Sequence, residues 1–136
     1  MTALTADRNT TFRAGIDFEF PVAANTKIFA GSIVAIDTAT GTATKGATAT
    51  TLKSVGIAQA IADNTGGAAG DIRVRVRRGL WHVANSAATD QITLADVGAD
   101  CYLVDDQTVA KTSGTNTRSL AGKIRDVDAT GVWVEF

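Results

Sequence analysis

The chain has 136 residues, 45% of them hydrophobic, and 13 basic against 14 acidic side chains give a formal net charge of −1. That length fits one domain with its own core, and that apolar content excludes wholesale disorder. The lack of a basic excess argues against a general nucleic-acid binder, and no apolar run approaches the ~20 residues of a membrane-spanning helix.

Residues 1–15 are polar and aperiodic. They read as an extended arm, poorly ordered until a partner captures it. Leu4 and Phe12 offer apolar contacts there, and Arg8, Asn9 and Arg13 charged or hydrogen-bonding ones. The opening MTALTADRNTTFR lacks the apolar stretch of a secretory signal, so a protein made and used without crossing a membrane is expected.

From Ile16 the signal is β nearly throughout. In IDFEFPV, Ile16, Phe18 and Phe20 alternate with Asp17 and Glu19, the period of a half-buried strand. Pro21 confines the end of that strand to an edge or a bend. KIFAGSIVAID follows, then TATGTATKGATATT (38–51), whose threonines favour a long exposed hairpin over a disordered linker. SVGIAQAIA (54–62) is the next strand and DNTGGAAGD (63–71) a turn. IRVRVRR (72–78) is the clearest strand: Ile72, Val74 and Val76 face one side and Arg73, Arg75 and Arg77 the other. Gly79 marks an expected bulge, after which LWHVA continues with shifted phase. Residues 86–100 hold the only helix candidate, one or two turns opened by the capping spacing of Thr93 and Asp96. DCYLVDDQTVAKT (100–112) reads as a hairpin turning at residues 105–107, and SLAGKIRDVD with VWVEF as a last hairpin around residues 128–131.

AGSIVAID…VGIAQAIADNTG also echoes VGADCYLVDD…AGKIRDVDATG, at an offset of 65–68 residues. Duplication and similar barrel corners are both open readings of that echo. Short strands at this spacing predict an all-β fold, a small single-domain β-barrel or sandwich over residues 16–136 carrying the N-terminal arm.

Chemistry is sparse. His82 and Cys101 are each alone of their kind, which leaves only a formal nucleophilic dyad and excludes the usual structural zinc set. Both lie in apolar strand patterns, where packing explains them. Asp126, Asp128 and Gly131 imitate the start of a calcium loop. Its bidentate Glu would fall at position 137, beyond Phe136, so the turn reading is preferred. TGGAAG (65–70) leads into a strand and lacks the Lys-Ser/Thr of a phosphate loop. No enzyme activity, cofactor or metal is expected.

The arginines are the uneven feature. Residues 70–85 set Asp71 against Arg73, Arg75, Arg77 and Arg78, whereas from Asp90 onward eight acids face four bases. The basic face has no interleaved aromatic for base stacking. A face that meets carboxylates of a protein partner or a neighbouring subunit is preferred, with a merely solvated face next and nucleic acid last.

Read together, LTADRNT, PVAANTKIFAGSIVAID, DNTGGAAGDIRVRVRRGLWHVANSA, CYLVDDQTVAKT and AGKIRDVDATGVWVEF resemble the capsid decoration (cement) proteins of Mu-like tailed phages and prophages. The resemblance weakens only in 38–51 and includes no catalytic signature. It implies a structural protein on the outer surface of the virion capsid, made in the host bacterial cytoplasm. Its partners would be the major capsid protein and its own copies, as a homotrimer, with no direct contact to nucleic acid or membrane. It also implies that the arm (Leu4, Arg8, Asn9, Phe12, Arg13) orders on the shell by strand addition, which needs little of the side chains. Arg73, Arg75 and Arg77 would then serve a subunit or capsid interface. The alternatives are another β-barrel virion component, such as a head–tail connector or tail-tube subunit, and a soluble carbohydrate- or peptide-binding β-module.

Overall fold

The computed structural model describes residues 2–136. Twelve strands follow one another: β1 Asp17–Pro21, β2 Lys27–Ile28, β3 Ile33–Asp37, β4 Thr42–Lys45, β5 Leu52–Ala58, β6 Ala62–Asp63, β7 Arg73–Arg77, β8 Leu80–Asn85, β9 Asp100–Leu103, β10 Thr108–Ala110, β11 Leu120–Asp128 and β12 Gly131–Glu135. Among the described residues the only helical pieces are 3₁₀ turns at Ala88–Asp90 and Leu94–Asp96. The protein is all-β, and the short helix candidate shrinks to the second of these turns. There the Thr93 N–H donates to the Asp96 carboxylate at 2.8 Å, as its capping spacing predicts.

The strands divide between two sheets. Residues up to Arg77 build a five-stranded sheet of order β1-β7-β5-β3-β4, and residues from Leu80 build a closed five-stranded barrel, β10-β8-β12-β11-β9. Strands β2 and β6 form a small separate pair. Gly79 is therefore no bulge inside one strand. With φ at +141°, a value side chains rarely allow, it turns the chain from the first sheet into the barrel.

The halves repeat one plan. In the first, β3 pairs with β4 and β5, β5 with β7, and β7 with β1. In the second, β9 pairs with β10 and β11, β11 with β12, and β12 with β8. Each circuit ends in a parallel contact, the single bridge Val22–Ala43 in one and the β8–β10 pairing in the other. Register irregularities coincide as well. Gly56 lies opposite Val34 and Ser54 opposite Ala35, as Gly122 lies opposite Cys101 and Leu120 opposite Tyr102.

Gly31 and Gly98, with φ of +85° and +91°, donate to Ala58 and Ile124 carbonyls, each at 2.8 Å. Asp63 takes the N–H and hydroxyl of Thr65, and Asp128 those of Thr130. The echo in the sequence is an internal repeat of the fold.

Alternation along the strands decides which side chains are covered. Val74 and Val76 are buried with Val22, Ile28, Val34, Ala43, Ala58 and Ala62 in the smaller core, and Phe20 and Ile72 pack against it. The larger core joins barrel residues such as Leu103, Val109, Ile124 and Val134 to Ile33, Ala35, Leu52 and Ile57 of the first sheet. Strands β3 and β5 are thus a wall shared by both halves.

The threonine-rich stretch departs from expectation. It supplies a short hairpin strand, β4, with Ala43 fully buried, and then crosses to the barrel. Thr48 donates to the Val104 carbonyl at 2.8 Å, and a Cβ on Gly46 would meet Asp105 O at 2.6 Å. A long exposed hairpin is not formed, because that segment is spent joining the halves.

Candidate functional site

The arginine face lies on β7, beside β1. Arg78 N–H bonds to Ile16 O and Val22 N–H to Ile72 O, so the even-numbered backbone groups of β1 face β7. The pairs Asp17–Arg77 and Glu19–Arg75 are then the non-hydrogen-bonded kind, whose side chains stand closest. Arg77 clasps Asp17 through Nε at 2.9 Å and Nη2 at 3.3 Å. That guanidinium holds the Asp17 carboxyl below its ordinary range, and Asp17 raises Arg77 in turn. Arg73 sits 3.9 Å from the Glu19 carboxylate and donates to the Glu19 carbonyl at 2.9 Å.

This corrects part of the expectation. Arg77 and Arg73 meet carboxylates of their own chain, supplied by the IDFEF strand. Among the described residues Arg75 and Arg78 have no carboxylate within 4.0 Å. Arg75 and Arg78 are thus the two arginines of this stretch without an internal ion pair, and they line depressions on opposite faces. The pairing was readable in outline, since Asp17 and Glu19 have the spacing of the arginines, but nothing local linked the two segments.

Residues 2–15 form no strand or helix, and each is exposed. Phe12 is 89% and Leu4 72% accessible. Among the described residues Arg8 and Asn9 make no hydrogen bond or ion pair, while the Arg13 guanidinium lies 5.0 Å from the centre of the Phe18 ring. Met1 lies outside the described residues.

A depression lined by Arg13, Asp17, Glu19, Arg73 and Arg75 runs along one face of β1. On the other face Phe18, Phe20, Val55 and Phe136 line a more apolar one, with Ser54 and the Arg78 side chain at it as well. This second depression was not anticipated from sequence, because residues 18, 55 and 136 meet only through the fold.

His82 and Cys101 do not meet as a dyad. Cys101 is fully buried, its Sγ toward the Gly122 carbonyl at 3.5 Å, and burial pushes its thiol up to about 12. His82 is on the outer side of β8, its Nε2 3.2 Å from Asp128 Oδ1 and 3.4 Å from Thr130 Oγ1. Carboxylate and hydroxyl share one ring nitrogen, whereas a catalytic relay uses both. Asp128 Oδ1 also accepts the Thr130 and Gly131 N–H groups, at 2.8 and 2.9 Å. Its Oδ2 accepts Trp133 Nε1 at 3.2 Å. The calcium-like sequence is therefore a hairpin corner, and no group of three or more metal-ligating side chains converges among the described residues.

In the TGGAAG loop, Asn64 Nδ2 donates to Ala23 O and Ala68 O, both at 2.9 Å, so the loop is held as a turn.

The Asp128 corner makes a pH prediction. Bonds from Thr130, His82 and Trp133 depress its pKa below the usual 3.8, so its stabilising effect is complete above that value and fades as pH falls. Asp128→Ala should melt below wild type at pH 7, and the gap should narrow steadily from pH 5 to pH 2 in thermal scans. A gap independent of pH would mean that the carboxylate charge is not what matters.

Comparisons of the chain with protein-family models, with curated proteins and with solved structures return no match. No described helix is long and apolar enough to cross a membrane. What the geometry itself defines is an all-β protein of two repeated halves. The arginine-bearing face of β7 lies near an exposed arm, and the Asp63, Asp105 and Asp128 side chains hold turns.

Proposed function

We propose that the protein is a non-enzymatic capsid decoration protein, binding the outside of a tailed-phage shell, as a trimer, and cementing neighbouring capsid subunits. The observation that carries this reading is the arm. Among the described residues, 2–15 make no hydrogen bond to residues 16–136, while many polar side chains of the body serve corners and internal ion pairs. Ordering such a segment costs roughly 1–2 kcal/mol per residue, so its apolar side chains and free backbone groups have use only against another protein. The sequence resemblance supplies the shell as that protein, and the near-neutral net charge suits a protein partner. Major capsid protein is the partner proposed, with Arg75 and the arm as contacts.

The test is occupancy on purified, expanded, undecorated shells. Deleting residues 2–13 should leave the thermal midpoint within a few degrees of wild type and lower occupancy at least about tenfold, equivalent to ~1.4 kcal/mol. Wild-type protein that leaves such shells bare would overturn the reading. So would arm-less protein that decorates them normally, for the arm's part.

A further inference from the structure

The two halves differ where their circuits close. In the barrel, β10 runs along β8, with Ala84 N–H bonded to Gln107 O at 2.8 Å and Ser86 N–H to Val109 O at 3.2 Å. In the first half the equivalent strand β4 bridges on this side only to Val22, one residue past the end of β1, where Ala23 N–H meets Ala43 O at 2.9 Å. Below that bridge the outer edge of β1 is unpaired. The outward groups belong to the odd-numbered residues, and among the described residues only the Glu19 carbonyl has a partner there, the Arg73 guanidinium. Asp17 N–H, Asp17 C=O and Glu19 N–H are left over. An open edge of this kind is a template for another strand.

We infer that this edge receives the N-terminal arm of a second copy of the chain, so that copies assemble by exchanging arms. Three observations favour that occupant. The side chains fit in part: in an extended arm Leu4, Ala6 and Phe12 fall on one side together with Arg8 and Thr10, while Thr5, Asp7, Asn9, Thr11 and Arg13 fall on the other. A strand added to β1 would lay the first set toward Phe18, Phe20, Val55 and Phe136, where Arg78 also stands, and the second toward the depression containing Arg75. Asp7 then brings a carboxylate to the face with an uncommitted arginine.

The place fits too, because the arm leaves the body at the start of β1. The departing arm of one copy and the receiving edge of the next can therefore lie together about a common axis. Finally, the contact joins two different surfaces, and such head-to-tail contacts close into rings when the rotation allows. A three-membered ring is the trimer of the proposed function. The inference does not need the capsid reading: it concerns where the arm lies in the free protein, before any shell is met.

The edge can be tested through one backbone hydrogen. Glu19 N–H points away from β7, so Glu19→Pro removes it without breaking the β1–β7 ladder. Pro21 already occupies an outward position of the same strand. Glu19→Ala removes the same side chain but keeps the N–H. In sedimentation velocity, wild type and Glu19→Ala should run as one closed oligomer. Glu19→Pro and the chain lacking residues 2–13 should run as monomers.

A labelled peptide of residues 2–13 should bind the arm-less protein in fluorescence anisotropy, and at least tenfold more weakly when Glu19→Pro is added. Because the arm-less protein keeps its body intact, the result stands even if Glu19→Pro proves poorly folded. A monomeric wild type, an oligomer that survives loss of the arm, or a peptide that binds nothing would each overturn the inference. These readings involve no shells, so they fail independently of the cementing role.

Discussion

Gly122→Ala should lower the thermal midpoint by about 10 °C, corresponding to roughly 2–3 kcal/mol of lost stability. A Cβ at this position falls under 3.0 Å from both the Glu135 carbonyl oxygen and Val134 Cγ1. The obstacle includes backbone of the paired strand β12, so no side-chain rotation relieves it. The ~0.4–1 kcal/mol gained by stiffening the unfolded chain is too small to compensate. Gly56→Ala should be at least as damaging. Its Cβ would lie 2.5 Å from Arg77 O, and its φ of +137° is unfavourable for any side chain.

Gly41 is the control, with φ of +72° but open space around it. Its replacement by alanine carries only the left-handed strain of about 1–2 kcal/mol. Melting curves of the three variants separate crowding from strain. Equal midpoints for Gly41→Ala and Gly122→Ala would mean that β11 shifts to accommodate the methyl.

Val74→Asp should prevent folding altogether. Val74 lies in the smaller core among Val22, Ile28 and Ala62, only 1% accessible. No cationic group is buried with it, so the carboxylate must either stay charged in an apolar site or bind a proton, and both cost several kcal/mol. Arg75→Ser, one residue along the same strand, removes an exposed side chain with no internal ion pair and should change stability by no more than ~0.5 kcal/mol. Circular dichroism on the two proteins checks the contrast. A folded Val74→Asp would show that this face of β7 is not core.

The same two residues show what was legible in the sequence. The strict alternation of residues 72–78 announces a strand, its buried face and its charged face. It does not announce β1 as neighbour, because pairing between segments so far apart leaves no periodic trace. The carboxylates were therefore assigned to another chain when two of the arginines use Asp17 and Glu19. The hairpin corners were readable for a local reason, since Asp105 and Asp128 bond to backbone groups two and three residues on.

Residues 38–51 misled because threonine favours a pleated, half-buried surface without saying which surface. What decides their path is Gly46, small enough to pass Asp105. The exposed arm was visible in its lack of periodicity. The open edge of β1 was not, because an edge is defined by a neighbour that is missing.

The wall formed by β3 and β5 bears on the order in which the chain matures during synthesis. Ile33, Ala35, Leu52 and Ile57 are covered by side chains that lie beyond residue 80, so the first sheet emerges from the ribosome with one greasy face still wet. At about 5–20 residues per second, several seconds separate β5 from the barrel strands that shelter it. Throughout that interval the nascent chain carries two adhesive surfaces, the bare wall and the edge of β1. Completion of the barrel by β12 covers the wall, so the apolar face that emerges first is the last to be sheltered.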